Sequence, residues 1–110
     1  MDKKKKQEIT PEKVEAMLDA SEFRMWLAEK GDLVAGNTVS RYACPLGCFL
    51  YHHHALSVLI EDDEIVVPGG IRIPHKPWSK KFVSLLRNEY AGHDWVSGYD
   101  AIHILDRAVS

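Results

Sequence analysis

The segment of residues 56–73 does most to limit how this chain can fold. It holds three short apolar segments and, between them, two turn-forming sequences, EDDE and PGG. In the first segment Leu56, Val58 and Ile60 alternate with Ser57, Leu59 and Glu61. Strands this short, joined by tight turns, are typical of an antiparallel meander. We predict strands at 56–60, 65–67 and 71–73.

Helical periodicity lies on both sides of this segment. Before it, apolar residues recur at helical spacing after Thr10 and Pro11, which suit the cap and the first turn of a helix. After it, Ser79 and Ser97 are the predicted caps of two further helices, with Trp78 as a hydrophobic staple. We predict helices over 11–30 in one or two pieces, 45–51, 79–91 and 97–109, and a short strand at 38–41.

The order of helices, meander and helices predicts an α+β fold. We expect a single small domain with N-terminal helices, a short three-stranded antiparallel meander and two C-terminal helices packed on one face of the sheet. A chain of 110 residues with 45% hydrophobic and 27% charged content suits one such domain, which needs neither metal nor disulfide to fold. Because no apolar side chain follows Met1 in residues 1–8, we predict a mobile lysine-rich tail at 1–8 and the domain at 9–110.

Composition and charge argue against several classes of protein. No apolar run approaches the roughly 20 residues needed to cross a bilayer, and lysines stand where a signal peptide carries its apolar core, so we expect a cytoplasmic protein without a membrane partner. The formal net charge of −2 creates no overall field that would attract nucleic acid. Two cysteines in a reducing compartment are expected to be free thiols.

One segment, YACPLGCFLYHHHAL, concentrates cysteines and histidines. A helix would place Cys44 and His52 about 12 Å apart, too far to share one ion, so that only neighbouring pairs could chelate together. We therefore expect the segment to pack in the core and at a helix end, and we keep a metal-dependent enzyme as an alternative. Its candidate ligands would be Cys44, Cys48, His52 and His54.

Thiol chemistry is a second use for the same segment. A thiol at the cap of a helix faces free amide groups and the positive end of the helix dipole, which favours the thiolate. Cys44 has that position, and His53 or His54 could serve as its base. The plainer interpretation is that Cys44 caps weakly or packs.

The sequence HKPWSKKF combines an aromatic side chain with lysines. Single-stranded nucleic acid is often held by stacking together with phosphate contacts. The residues that would do so are Lys76, Trp78, Lys80 and Lys81. Because the lysines are few and the net charge is negative, we expect a solvated helix start and keep weak binding of single-stranded nucleic acid as a second alternative.

The segment AGHDWVSGY holds large side chains that suit a contact with another protein. If this loop stays exposed, Trp95 and Tyr99 are the strongest candidates, and His93, Asp94 and Trp78 complete the predicted partner-binding set. The alternative is that the loop tryptophan closes the core. Because no catalytic set with a known spacing is present, we assign no catalytic residue and expect no cofactor. We predict a small soluble module that binds a larger protein through its aromatic loops and its acidic middle segment, as regulators and inhibitors from phages and mobile elements do. The identity of the partner and the oligomeric state stay open.

Overall fold

Proline starts three of the five helices in the part of the chain that a computed structural model describes, residues 9–90 and 92–110. An N–H at the first helical position would have no intrahelical partner, so proline loses no bond there, and its fixed φ suits a helix. The predicted tail at residues 1–8 lies outside the described residues. The helices are α1 (Pro11–Met17), α2 (Ala20–Lys30), α3 (Pro45–His54), α4 (Pro77–Glu89) and α5 (Gly98–Val109), and the strands are β1 (Val34–Asn37), β2 (Leu59–Ile60), β3 (Glu64–Val67), β4 (Ile71–Pro74) and β5 (Trp95–Ser97).

The predicted meander and the α+β class are confirmed. Strands β2, β3 and β4 pair antiparallel in chain order, with Ile65 opposite Ile60 on one side and Ile73 on the other. All three isoleucines are fully buried. The first strand is shorter than predicted because Ala55 adopts a left-handed conformation at the end of α3 and the Leu56 amide donates back into the helix at 3.0 Å.

Side-chain caps set two helix starts as predicted, and a third predicted start is wrong. Thr10 caps α1 and Ser97 caps α5, each accepting a bond from the amide three residues further on, at 3.2 and 3.1 Å respectively. Ser79 lies inside α4, which already begins at Pro77. Trp78 is therefore a helical residue and not the predicted staple before the helix.

An aromatic cluster from three helices forms the centre of the core. Phe23 of α2, Phe49 of α3 and Phe82 of α4 are fully buried, and the Phe23 ring centroid lies 5.2 Å from that of Phe49 and 5.1 Å from that of Phe82. Aromatic pairs at such distances add stability beyond the area that they bury. The C-terminal helices pack on strands, but α5 makes its main strand contacts with β1 and β5 rather than with the predicted meander, and it also contacts α4 and α2. Its contact with α2 is close, since a Cβ at Gly98 would lie 2.1 Å from the Leu27 carbonyl oxygen.

A second sheet, which the sequence did not predict, joins β1 to β5 in antiparallel register. We call this pair the β1–β5 ribbon, and it replaces the strand expected at 38–41. Thr38 is fully buried at the end of the ribbon. Its amide donates to the Asp94 carbonyl at 3.0 Å, and its hydroxyl donates to the His93 carbonyl. The loop before α3 is thereby tied to the segment before α5.

His75 joins the acidic turn of the meander to the start of α4. Its Nε2 lies 2.9 Å from the Glu61 carbonyl oxygen, and its Nδ1 lies 2.9 Å from the Ser79 hydroxyl. Because a carbonyl only accepts, Nε2 carries the proton of the neutral ring. Burial lowers the pKa of His75, and the contact with Glu61 opposes this effect, whereas the charges of Arg87 and Lys80 add to it.

The pH dependence of stability tests this contact. The folded pKa of His75 lies below the ordinary value of about 6.5, so the unfolded chain binds more protons than the folded chain. The contribution of His75 to stability is therefore complete above that pH and is lost as pH falls through the folded pKa. We expect the free energy of unfolding, measured by urea denaturation from about pH 7.5 to about pH 5, to fall less steeply in His75→Gln than in the parent protein. His103→Gln, at an exposed position, is the control. Equal slopes in His75→Gln and the parent protein would contradict this account.

Candidate functional site

The β1–β5 ribbon presents large apolar side chains to solvent. Ala35 and Val96 are almost fully buried, whereas their neighbours Val34 and Trp95 are 55% and 58% exposed. Leu33, which precedes the ribbon, is 68% exposed. Single exposed apolar side chains are common in proteins, but a group of them on one surface more often marks an interaction site.

Beside these side chains lies a cleft of about 150 Å³ between α2, α3 and the ribbon. Trp26 and Cys48 come from the two helices, and Val34 and Trp95 come from the ribbon. A buried cavity of roughly 150 Å³ can hold one benzene-sized group, so the cleft has room for a single apolar side chain. Its other lining residues are Lys30, Ala35, Gly36, Ala43 and His52.

The cleft carries basic side chains and no acidic ones. Lys30 Nζ lies 5.0 Å from the centroid of the Trp26 ring, within the range of a cation–π contact. His52 adds an exposed imidazole from α3. Since no Asp or Glu lines the cleft, a ligand that combines an apolar group with a carboxylate would complement it.

Glycine at position 36 lets the ribbon approach α3. A Cβ there would lie 2.5 Å from the Pro45 nitrogen and 2.7 Å from the Cys44 carbonyl carbon, closer than atoms can approach. Next to it, the Asn37 amide donates to the Ala43 carbonyl at 2.8 Å. Any side chain at position 36 would therefore push the ribbon away from α3 and change the shape of the cleft.

Both cysteines are placed as packed, neutral thiols. Cys48 is half-buried, and its Sγ donates to the Ala43 carbonyl at 3.3 Å. Burial raises the pKa of Cys48, against a smaller opposite effect of Lys30. Cys44 is the cap residue of α3, as predicted, but it is buried, makes no side-chain cap bond and has its pKa raised by burial. These environments disfavour the thiolate that a thiol-dependent enzyme needs.

The predicted partner-binding residues do not all lie together. Trp95 borders the cleft, and Tyr99 is 52% exposed at the start of α5. The side chains of His93 and Asp94 are also exposed, just before β5. Trp78 differs from these four residues because it is half-buried and packs against the aromatic core from α4.

The structure separates the four predicted metal ligands. Cys44 is buried, and Cys48 and His52 line the cleft. His54 points toward α2 instead. In the described part of the chain, just one group of three or more His, Cys, Asp or Glu side chains lies close enough to hold an ion. Sequence reasoning missed this group because one member is distant along the chain. Its members are Glu22, His53 and His54.

An ion pair with the acidic turn engages one lysine at the start of α4. Lys80 Nζ lies 3.2 Å from an Asp63 carboxylate oxygen, and Arg87 pairs with the same turn. Lys76 is half-buried as the cap residue of α4, whereas Lys81 is exposed. Because part of the positive charge is already paired, this surface offers little to a phosphate backbone. Nucleic-acid binding stays a prediction.

Comparisons with known proteins add no family to these observations. Neither family models nor curated proteins nor solved structures gave a match to the chain. Among the described residues, no helix is both long enough and apolar enough to span a membrane. Function therefore has to be inferred from the cleft and its surroundings.

Thiol labelling tests the placement of the two cysteines. We expect dithiobis(nitrobenzoate) to modify Cys48 slowly and Cys44 not at all in the native protein, because only Cys48 reaches solvent. In urea, both thiols should react at the rate of a free cysteine. Single variants, Cys44→Ala and Cys48→Ala, assign the reacting thiols. Rapid native labelling that disappears in Cys44→Ala would contradict this placement.

Proposed function

We propose that this chain is a non-catalytic module that binds another protein by receiving one apolar side chain of that partner in the cleft between α2, α3 and the β1–β5 ribbon. The position of Trp95 carries the proposal. This side chain is 58% exposed and borders an open pocket of about 150 Å³. Exposed aromatic side chains next to a pocket are typical of the centres of protein interfaces.

The charge of the cleft supports a more specific partner. Lys30 and His52 line it without an acidic neighbour among the lining residues. A carboxylate of the partner that reached Lys30 would meet a cation held beside the Trp26 ring, where partial desolvation strengthens the attraction. The proposed partner segment therefore has an apolar anchor next to an Asp or a Glu.

The energy of such a contact comes from a few side chains. Full burial of one large apolar side chain contributes roughly 1.5–3 kcal/mol, and truncation of an interface tryptophan often costs more than about 2 kcal/mol. The entropy lost on association offsets much of this gain. The partner's anchor and Trp95, rather than the whole ribbon, are therefore expected to determine the affinity.

Two groups of side chains resemble catalytic arrangements, but their burial favours a non-catalytic role. Both thiols lie where burial keeps them neutral. The Ser79 hydroxyl contacts His75, but Ser79 is fully buried and unreachable for a substrate. The further expectation that the module regulates or inhibits a larger protein, as phage and mobile-element proteins do, stays a prediction.

Selection from a displayed library of random peptides tests the proposal. We expect peptides retained by the parent protein to share one large apolar residue beside an Asp or a Glu. Their affinity, measured by calorimetry, should fall at least tenfold in Trp95→Ala, equivalent to about 1.4 kcal/mol or more. Lys30→Glu should also weaken binding, because it reverses the charge of the cleft.

A matched variant and a measurement of mass complete this test. Tyr42 is an aromatic residue that is 72% exposed and does not line the cleft, so Tyr42→Ala should bind the peptides normally. Failure to enrich any common motif, or equal affinity in Trp95→Ala and the parent protein, would overturn the proposal. If sedimentation shows that the parent protein is a homodimer and that Trp95→Ala is a monomer, the cleft is assigned to a second copy of the chain, which would also overturn the proposal.

A further inference from the structure

Three potential metal ligands converge where the end of α3 meets the start of α2. Glu22 lies in the first turn of α2, and His53 and His54 are the last residues of α3. The Glu22 Oε1 atom lies 3.0 Å from His54 Nε2 and 3.9 Å from His53 Nε2. None of the three residues lines the cleft, so this cluster is independent of the proposed binding function.

The separations suit a shared ion. Ligand atoms about 2.1 Å from a tetrahedral zinc ion lie about 3.4 Å from one another. The two measured distances lie on either side of that value, and one ligand atom from each residue is within 4.8 Å of the other two. Small rotations of partly exposed side chains would complete the geometry.

A buried aromatic ring holds both imidazoles in place. The Phe49 ring is fully buried, with the His53 ring stacked on it at 5.2 Å and the His54 ring edge-on at 5.4 Å between centroids. Packing therefore limits the rotation of both histidines. In addition, the C-terminal end of a helix carries partial negative charge, which favours a cation at this end of α3.

We propose that Glu22, His53 and His54 form a site for one divalent transition-metal ion of the zinc class. Two imidazoles and one carboxylate are a ligand set that such ions prefer, whereas Mg²⁺ and Ca²⁺ prefer oxygen ligands alone. The side chains of Glu22, His53 and His54 remain 45%, 44% and 21% exposed. The remaining coordination positions are therefore open to water or to a donor from another molecule.

Calorimetric titration of Zn²⁺ into the full chain, with any affinity tag removed, tests this site. We expect one ion per chain, with binding at least tenfold weaker in Glu22→Gln, His53→Ala and His54→Ala. The matched control is His52→Ala, since this neighbouring histidine lies on the same helix and outside the cluster. It should bind Zn²⁺ like the parent protein, and millimolar Mg²⁺ should not compete.

Three results would overturn the proposal. The first is the absence of saturable Zn²⁺ binding. The second is a loss of Zn²⁺ affinity in His52→Ala equal to that in the other histidine variants, which would assign binding to a run of histidines without Glu22. The third is unchanged Zn²⁺ affinity in Glu22→Gln. Circular dichroism of each variant shows whether the fold is kept. If a histidine variant does not fold, Glu22→Gln decides the matter, because it keeps the size of the side chain and removes the charged ligand.

Discussion

The proposed binding cleft depends on the antiparallel pairing of β1 with β5. These strands are separated along the chain by α3, the meander and α4, so the entropy of loop closure opposes their meeting. The bonds from buried Thr38 to the backbone of residues 93–94 hold the two strands together, and the absence of a side chain at Gly36 lets the ribbon approach α3. Without this pairing, Val34 and Trp95 would not line the cleft.

Elements with a local signal can be predicted from the sequence, and the ribbon cannot. Thr10 and Ser97 cap their helices, and the meander turns where its EDDE and PGG sequences indicate, because caps and tight turns depend on a few adjacent residues. The error at Ser79 is also local, since Pro77 offers an earlier start. Strands of four and three residues, as β1 and β5 are, carry too few alternating side chains to be told from a loop. Their stability comes from partners distant in the sequence.

The segment rich in cysteine and histidine is divided between two surfaces. Cys48 and His52 lie one helical turn apart on the same side of α3, as a spacing of four residues predicts. Both line the cleft. His53 and His54 lie on the side of α2 instead. Their acidic neighbour Glu22 and the shape of the cleft appear only in three dimensions, because each depends on segments that are separate along the chain. The sequence marks Trp95 as a candidate for a protein contact on the condition that its loop stays exposed, and the structure leaves this side chain 58% exposed. Its pocket could not be foreseen.

NMR of the indole groups of the three tryptophans tests the central claim most directly. Trp26 and Trp95 line the cleft, whereas Trp78 packs on the core from α4. ¹⁵N-labelled protein would be titrated with N-acetyl-phenylalanyl-aspartate amide, which joins one apolar ring to one carboxylate, with single Trp→Phe variants to assign the three signals. Our account predicts that the indole resonances of Trp26 and Trp95 shift together while that of Trp78 stays in place. No shift at millimolar dipeptide, or a shift confined to Trp78, would contradict it.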